Sequence, residues 1–237
     1  MPIHNYPLYL FLMVGTLLSV SSGKLTKTGG ITGALVGLLI FKGAGYMGIA
    51  MLTVFFISAS AASGWQLSKK RQTEIAEKNK GRRTAGQVIA NGGVAAILGF
   101  INLGRPDLSS LLQLMIAGSI AAATADTLSS ELGSIYGCRF YDVLTFKTVK
   151  SGPDGVVSLE GSIIGIAGAT LIAITYSIGF GFNYYGLVII AAGTIGNLFD
   201  SILGATLERN KWIGNNTVNF LNTCAGGAVC LVLHLFI

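Results

Sequence analysis

The sequence predicts an all-α polytopic membrane protein with about seven to eight transmembrane helices, and three observations support this. Hydrophobic residues make up 51% of the 237 residues, and the mean hydropathy is +0.66. Charged residues make up only 11%, whereas a soluble domain has about 25%. The 33 glycines are small residues of the kind that lets membrane helices approach closely. Such a chain cannot cover a water-facing surface with polar groups.

Eight apolar stretches predict the helices in order. They cover residues 6–22, 29–41, 44–64, 85–103, 110–130, 158–180, 184–206 and 216–237. Most approach the ~20 residues that a membrane-spanning helix needs. The second stretch is short, so we expect it either to be re-entrant or to span with the help of neighbouring Thr and Gly residues. The first has no basic segment before it and a poor cleavage site after it, so we expect it to stay in the mature chain.

The Lys and Arg residues fall in alternate loops. All but two of the 16 follow the first, third, fifth or seventh stretch, and the exceptions are Lys42 and Arg105. The positive-inside rule predicts that these loops are cytoplasmic, in an inner (cytoplasmic) membrane, with both termini outside. If 29–41 is re-entrant, the N-terminus moves inside and the other assignments stand. This distribution explains the net charge of +6, so we predict membrane lipids as partners and no nucleic acid.

One helical membrane domain accounts for residues 1–237, without a separate soluble domain. The segment 65–84 is predicted to be a basic cytoplasmic linker. The segment 131–157 is predicted to be a cytoplasmic loop that carries function, because loops positioned by a rigid scaffold often do so. Neither a disulfide nor a zinc site is expected, since the three cysteines show no CxxC spacing. The two histidines, His4 and His234, lie near opposite ends of the chain, which argues against a histidine-based site.

Acidic residues gather at the predicted cytoplasmic ends of the helices. The ends of the fifth, sixth and seventh stretches carry Asp126, Glu131, Asp154, Glu160, Asp200 and Glu208. Only Asp107 falls on the far side. An ionisable group buried in a membrane costs at least ~2.5–3.5 kcal/mol on insertion scales, so such residues usually serve a site or a partner. We therefore expect a phosphate or metal site at this face.

Helical spacing predicts that these residues converge. Asn197, Asp200, Gly204 and Glu208 share one helix face, and Asp126 lies four residues before Ser130. Further polar residues begin the fourth and eighth stretches: Thr84, Gln87, Asn91, Asn215, Asn216, Asn219 and Asn222. Four helices thus present oxygen and amide groups at the same depth. This set suits Mg²⁺, which favours carboxylates, waters and phosphate oxygens.

The segment 151–162 predicts a phosphate-binding turn. Asp154 and Gly155 form a turn signal, and the helix expected to begin at Ser158 offers free N–H groups that attract phosphate. Lys147 and Lys150 are nearby. The chain has no GxxxxGK[ST] motif, so it is not a P-loop protein.

Several of these signals also have purely structural interpretations. The basic run 69–83 is chiefly expected to be an anchor on the cytoplasmic side. Gly161 and Gly165 form a GxxxG that favours helix packing. Asn197 and Asn222 can equally hydrogen-bond neighbouring helices. Cys138 is expected to be an ordinary loop cysteine.

Five motifs, in order, resemble those of a known membrane family. They lie at residues 91–96, 125–133, 154–162, 196–208 and 215–220. The chain resembles the integral-membrane family that includes plant phytyl-phosphate kinase, well over about residues 80–237 and loosely over the first three stretches. More distantly it is similar to dolichol and phytol kinases and to CDP-diacylglycerol synthases. One departure is Pro153, where relatives often have a small polar residue.

The resemblance implies a CTP-dependent kinase that converts a prenyl monophosphate, such as phytyl or geranylgeranyl phosphate, to the diphosphate with Mg²⁺. We expect the catalytic residues to be Asp126, Glu131, Asp154 and Asp200. We expect the metal ligands to be Asp126, Glu131, Asp200 and Glu208. We expect the nucleotide phosphates to contact Lys147, Lys150, Gly155, Ser158, Gly161 and Ser162. We expect the substrates to be oriented by Asn91, Ser130, Asn197, Asn216 and Asn219.

Two alternatives remain at this stage. A cytidylyltransferase would transfer CMP to a lipid phosphate, and it would bind Mg-CTP beside a lipid phosphate in the same way. A transporter without chemistry is favoured only by the weak similarity between the segments that begin at Asp126 and Asp200, since transporters often contain internal repeats. A polar cleft open to the cytoplasm would favour an enzyme.

Overall fold

The structure, a computed structural model, describes residues 5–65 and 82–236. The α-helices in these ranges are α1 Tyr6–Ser21, α2 Lys27–Gly64, α3 Ala85–Gly104, α4 Ser109–Tyr136, α5 Leu159–Phe180, α6 Tyr185–Leu203 and α7 Asn215–Leu235. A 3-10 turn, Pro106–Leu108, precedes α4, and a π-helical segment, Gly204–Glu208, continues α6. Within the described residues, 6 helices are long and apolar enough to cross a membrane, and the 16-residue α1 is shorter. The predicted polytopic helical membrane fold is confirmed.

Helix α2 is 38 residues long because the chain folds back within it. Gly45 has φ 59° and ψ −150°, a conformation that is essentially restricted to glycine. A Cβ on Gly48 would lie 3.0 Å from the Ile40 carbonyl oxygen, although residues eight apart in a straight helix are about 12 Å apart. Residues 27–44 and 46–64 therefore run antiparallel, each about 27 Å long. They correspond to the second and third apolar stretches.

Helix α4 lies at the centre and packs against α2, α3, α5, α6 and α7. Small residues allow this. A Cβ on Gly226 of α7 would lie 2.5 Å from the Gly118 carbonyl oxygen, and one on Gly193 of α6 would lie 3.2 Å from Ala121 Cβ. Such close approach replaces the hydrophobic effect as the driving force for helix association in lipid. The glycine and alanine content of the sequence thus determines which helix is central.

The two ends of the bundle differ in charge. At one end Thr26 N–H donates to the Arg83 carbonyl (3.0 Å) and the Trp65 indole N–H donates to the Tyr136 hydroxyl (2.8 Å). We call this the basic end, and its cations include Lys24, Lys27, Arg82, Arg83, Arg139, Lys147, Lys150, Arg209 and Lys211. At the opposite end, near Lys42 and Arg105, the Asn102 amide donates to the Gly43 carbonyl (2.8 Å). The structure therefore reproduces the alternation of the loops, while residues 66–81 of the predicted linker lie outside the described ranges.

Three helices begin at the basic end with side-chain caps. Thr26 accepts from Gly29 N–H (3.0 Å) and Ser158 from Gly161 N–H (3.1 Å). Thr84 and Gln87 form a reciprocal capping box, in which the Thr84 N–H donates to Gln87 Oε1 (2.8 Å). Such caps satisfy N–H groups that the helix itself leaves without partners. They fix the start of α2, α3 and α5 at this end.

The segment predicted as the loop 131–157 begins later and contains a small sheet. Helix α4 continues to Tyr136 and ends at Gly137. An antiparallel sheet of order β2-β1-β3 follows, with β1 Phe140–Asp142, β2 Thr148–Val149 and β3 Val156–Ser158. The all-α prediction did not include this sheet, because strands of two or three residues are too short to show an alternating pattern.

Candidate active site

Asp126 on α4 and Asp200 on α6 face each other at the basic end. Their carboxyl groups interact with each other. Asp126 is only 9% exposed, and Oδ1 of Asp200 is buried without a hydrogen-bond partner among the described residues. Two adjacent carboxylates in a low-dielectric site cannot both remain ionised without a counter-charge. The pair therefore suits a shared proton or a bound cation.

Packing one turn earlier brings this pair together. Ala122 and Gly196 precede Asp126 and Asp200 by four residues each, so each couple shares a helix face. A Cβ on Gly196 would lie 2.6 Å from Ala122 Cβ, closer than two such carbons can normally approach. Because α4 and α6 touch at this level, the next turn places Asp126 opposite Asp200.

Asn222 on α7 forms a third side of the pair. Its side chain is fully buried and lies beside the Asp200 carboxyl. Within the described part of the chain, neither its Oδ1 nor its Nδ2 makes a hydrogen bond of ordinary geometry. An unsatisfied amide in an apolar interior costs free energy. Its place beside the Asp200 carboxyl is more typical of a binding site than of helix packing.

Three further carboxylates lie within electrostatic range. Glu131 and Glu208 interact with Asp126, and Asp154 interacts with Asp200 and Glu208. The structure thus brings together the carboxylates that were predicted to be catalytic or metal-binding. Among the described residues, however, no group of three or more His, Cys, Asp and Glu side chains is close enough to hold a metal ion. Any metal would have to take further ligands from its substrate or from water.

Glu160, at the start of α5, has a different partner. It interacts with Cys138, and this interaction raises the pKa of the Cys138 thiol. A raised thiol pKa lowers the fraction of reactive thiolate. This direction favours the prediction that Cys138 is an ordinary loop cysteine.

Arg209 fastens the small sheet to the end of α6. Its Nη1 donates to Asp142 Oδ2 at 2.7 Å, and its Nε and Nη2 donate to the Asp154 carbonyl, the Nε at 3.1 Å. Asp142 Oδ1 accepts from the backbone N–H groups of Leu144 (3.1 Å) and Thr145 (3.0 Å). The hydrogen bond from Arg209 is the main cause that lowers the pKa of Asp142 to about 2. One guanidinium thus holds the end of β1 and the turn before β3 against the segment that follows the helix carrying Asp200.

Gly155 seats the same segment on the π-helical turn. Its φ is 75°, and a Cβ there would lie 2.5 Å from the Ala205 backbone nitrogen. Only glycine adopts this conformation without strain and leaves room for Ala205. π-Helical turns often occur at functional sites, and this one lies between Asp200 and Glu208. The predicted phosphate-binding turn therefore packs directly on the segment that follows Asp200 and carries Glu208.

The start of α5 is built by small residues. Ser158 is buried and caps Gly161, while the Ser162 hydroxyl donates to the Ser158 carbonyl (3.0 Å). A Cβ on Gly133 would lie 2.8 Å from Gly161 Cα, so α4 and α5 cross here in close contact. Ser158 and Gly161 thus have clear structural roles, and phosphate binding at this helix start stays a prediction.

Lys147 and Lys150 lie on either side of β2, in the segment between β1 and β3. Both residues are exposed. The Lys147 carbonyl accepts from the Asp142 N–H at 3.0 Å, which anchors the backbone of the loop that carries both lysines. Among the described residues, neither side chain has a hydrogen-bond or ion-pair partner, and both remain candidates for contact with phosphate.

The five residues predicted to orient the substrates lie in different environments. Asn91 is buried and donates to the Gln87 carbonyl (3.0 Å), and its Oδ1 has no hydrogen-bond partner among the described residues. The amide of Asn197 faces α5, because a Cβ on Gly165 would lie 2.7 Å from its Nδ2, and this fits the packing interpretation. The remaining three are Ser130, Asn216 and Asn219, on α4 and α7. Ser130 donates to the Thr127 carbonyl (3.2 Å), and Asn216 is exposed.

The sequence analysis missed part of this arrangement. It did not single out Asp142, it treated Arg209 only as a positive charge, and it left Asn222 between two interpretations. The spacing from Arg209 to Asp142 is 67 residues, so no local pattern links them. Asp is, however, a turn-forming residue, because its carboxylate can accept hydrogen bonds from backbone N–H groups two or three residues later, as Asp142 does here.

Comparison with known proteins assigns the family. The chain matches the family described as integral membrane protein DUF92 over residues 10–227. It is a member of the DUF92 family. The resemblance inferred from the five motifs is thereby confirmed. No solved structure matches this DUF92 protein.

Several relatives cover nearly the whole chain. Protein VTE6, chloroplastic, of Arabidopsis thaliana is 32% identical over 96% of this chain and 70% of its own length. The uncharacterized membrane protein MJ0933 of Methanocaldococcus jannaschii is 31% identical over 95% of this chain and 92% of its own. Protein PGR of Arabidopsis thaliana is 31% identical over 92% of this chain and 93% of its own length. The DUF92 fold is thus shared by plant and archaeal membrane proteins.

Proposed function

We propose that this DUF92 protein is a membrane prenyl-phosphate kinase that uses CTP or another nucleoside triphosphate. An oxygen of the prenyl monophosphate would attack the γ-phosphorus, the bond to the β–γ bridging oxygen would break, and the nucleoside diphosphate would leave. The observation that carries the proposal is the buried Asp126–Asp200 pair with Asn222 beside it. The family resemblance and the similarity to VTE6 support the choice of a prenyl phosphate.

The donor set at this pair fits Mg²⁺. Asp126 and Asp200 supply carboxylate oxygens, Asp200 Oδ1 has no hydrogen-bond partner among the described residues, and the polar Asn222 amide lies beside Asp200. Mg²⁺ is commonly held by one or two carboxylates together with waters and substrate phosphates. A preformed cage of three or more acidic side chains is therefore unnecessary. When bound, the metal would neutralise charge on the transferred phosphoryl group.

The loop and the carboxylates have complementary tasks. Lys147 and Lys150 would attract the nucleotide phosphates, and the turn at Gly155 would position them beside the π-helical segment. Three further carboxylates surround the Asp126–Asp200 pair and would hold waters or counter-ions there: Glu131, Asp154 and Glu208. Phosphoryl transfer depends on positioning and charge neutralisation more than on covalent chemistry by the protein.

A strong general base is not required for this reaction. The acceptor is a phosphate monoester whose second pKa is about 6, so it is largely ionised at pH 7. The one histidine among the described residues is His234, near the far end of α7, and its ring Nδ1 lies 3.0 Å from the Tyr185 hydroxyl. A site without histidine at the basic end fits such an acceptor. The positive-inside rule would place that end in the cytoplasm, where nucleotides are available.

The decisive experiment separates the kinase from a cytidylyltransferase. Purified protein in detergent would receive Mg²⁺, geranylgeranyl monophosphate and CTP labelled at either the γ- or the α-phosphate. We expect label from the γ-position to enter a prenyl diphosphate. Label from the α-position in the lipid would instead identify a cytidylyltransferase. Absence of lipid labelling from folded protein with any of several nucleoside triphosphates would reject both reactions.

A further inference from the structure

A second pocket lies on the other side of α3 from the carboxylates. It has a volume of about 360 Å³ and is formed by α1, both halves of α2 and the first half of α3. We propose that this pocket holds the hydrocarbon tail of a single-chain isoprenoid phosphate. The inference rests on the proposed function, because it assigns the tail site of that reaction's acceptor.

The lining changes from polar to apolar along the bundle axis. Ser19, Arg83 and Gln87 lie at the basic end, whereas Phe11 and Leu52 lie deeper. Ser19 and Phe11 are separated by eight residues of helix, or about 12 Å. A molecule with an anionic head and a hydrocarbon chain has the same polarity along its length.

Arg83 supplies the charge that matches a phosphate head. It is the residue directly before Thr84, the cap of α3, and its guanidinium lies 5.5 Å from the centroid of the Phe55 ring. The contact with Phe55 keeps the guanidinium at the mouth of the apolar lining. An Arg held in this way favours an anionic head over a neutral alcohol, because guanidinium groups pair strongly with phosphate.

The volume favours one chain over two. Small-molecule sites usually measure about 300–1,000 Å³, and this pocket lies near the lower limit. It suits part of one isoprenoid chain and leaves little room for the two acyl chains of a phospholipid. The rest of a long tail would extend into the bilayer.

Helix α3 links the pocket to the carboxylate site. Its Asn91 lines the pocket, and Asn91 Oδ1 has no hydrogen-bond partner within the described ranges. The neighbouring Ala90 carbonyl accepts from Thr223 Oγ1 on α7 (3.3 Å). Thr223 directly follows Asn222, which lies beside Asp200. One helix therefore separates the tail pocket from the acidic pair, and a head group at the mouth of the pocket lies at the same end of the bundle as that pair.

Glycines in the lining allow the pocket to be filled without collisions. A Cβ on Gly15 would meet nothing within 4 Å, and one on Gly33 would meet only Leu25 at 3.9 Å. Gly15→Leu and Gly33→Leu should therefore fold and occupy the space of the tail. Gly104→Leu, at the far end of α3, is the matched control, because a Cβ there also meets nothing within 4 Å.

The probe is geranylgeranyl monophosphate with a diazirine in its tail, used on purified protein in lipid nanodiscs. We expect photolabelled peptides from α1 to α3, and competition by geranylgeranyl monophosphate but not by geranylgeraniol, inorganic phosphate or phosphatidic acid. Each filling variant should weaken labelling about tenfold or more, since excluding two methylenes changes affinity by that factor. Gly104→Leu should label normally.

Labelling confined to other helices, or unchanged by both filling variants, would overturn the proposal. Equal competition by phosphatidic acid would also overturn it, in favour of a phospholipid site. Labelling does not require turnover, so it can succeed even if the kinase assay fails. If the kinase assay succeeds, dimethylallyl monophosphate should be used equally well by the filled variants and the wild type, because its short chain does not need the pocket.

Discussion

Arg209 and Asp142, which are 67 residues apart, form a 2.7 Å salt bridge between the end of α6 and the first strand of the small sheet. Arg209 also donates to the Asp154 carbonyl. One side chain therefore holds two parts of the loop that is predicted to bind phosphates. The positions of Gly155 and Asp154 relative to Asp200 depend on this contact.

Replacement of Arg209 should impair activity without unfolding the bundle. We expect Arg209→Ala to lower kcat/KM for prenyl-phosphate phosphorylation about 10- to 100-fold, because displacement of a positioning element by about 1 Å can cost that much. Helical circular dichroism should be unchanged. Arg105→Ala is the control, since Arg105 forms an exposed salt bridge with Asp107 at the far end. Equal losses in the two variants would contradict a positioning role for Arg209.

The attachment of the loop to α6 should be unaffected by pH near neutrality and should weaken only in acid. Asp142 has its pKa lowered to about 2 from an ordinary value of 3.8, so its stabilising effect is complete above about pH 4 and is lost as pH falls towards 2. Hydrogen exchange of residues 143–155, corrected for the intrinsic rate, should be constant from pH 8 to about pH 4 and should accelerate below it. In Asp142→Asn, exchange should be faster at pH 7 and lack the acid-dependent step. A step near pH 6 in the wild type would assign the attachment to another group.

Gly155 and Gly152 offer a matched test of the turn. Both have positive φ, at 75° and 129°, but a Cβ collides with Ala205 only at Gly155 and meets nothing within 4 Å at Gly152. Alanine at either position should add backbone strain of about 1–3 kcal/mol. We expect Gly155→Ala alone to displace the loop from the π-helical segment and to reduce activity strongly. Similar activities of the two variants would show that seating on Ala205 does not matter.

The sequence predicts the helices well because a long apolar stretch indicates a membrane helix without reference to the rest of the chain. The separate stretches 29–41 and 44–64 anticipated two apolar segments, although the chain reverses at Gly45, just inside the predicted start of the second of them. Charge alternation anticipated which loops share an end. Convergence of Asp126 with Asp200 followed from helical spacing, since a residue at a helix end has few possible positions. The sequence analysis did not find the small sheet or the Arg209–Asp142 contact, because each depends on contacts between distant segments. It placed Asn222 among the polar residues at this depth but left its role between two interpretations.

The acidic pair should be essential for activity but not for folding. We expect Asp126→Asn and Asp200→Asn each to lower kcat at least about 100-fold, because each removes charge stabilisation at the reacting phosphate. Thermal stability should hold or rise, since a buried carboxylate is replaced by a neutral isostere. The double variant should be little worse than either single one, as expected of residues that act as a unit. Asp107→Asn, on the far side, is the control and should retain full activity and Mg²⁺ dependence.

Asn222 and Asn102 are two intramembrane asparagines with opposite expectations. Asn222 is fully buried with both amide atoms unpaired among the described residues, whereas Asn102 donates to the Gly43 carbonyl (2.8 Å) and to Ser109 Oγ (3.2 Å). Asn222→Leu should raise the melting temperature, because it removes a buried amide that makes no hydrogen bond of ordinary geometry among the described residues, and should abolish most activity. Asn102→Leu should lower stability by about 0.6–1.7 kcal/mol, the range for interhelical hydrogen bonds in membranes, and leave activity intact. If Asn222→Leu lowered the melting temperature and kept full activity, Asn222 would be a packing residue and the acidic pair would have to act without it.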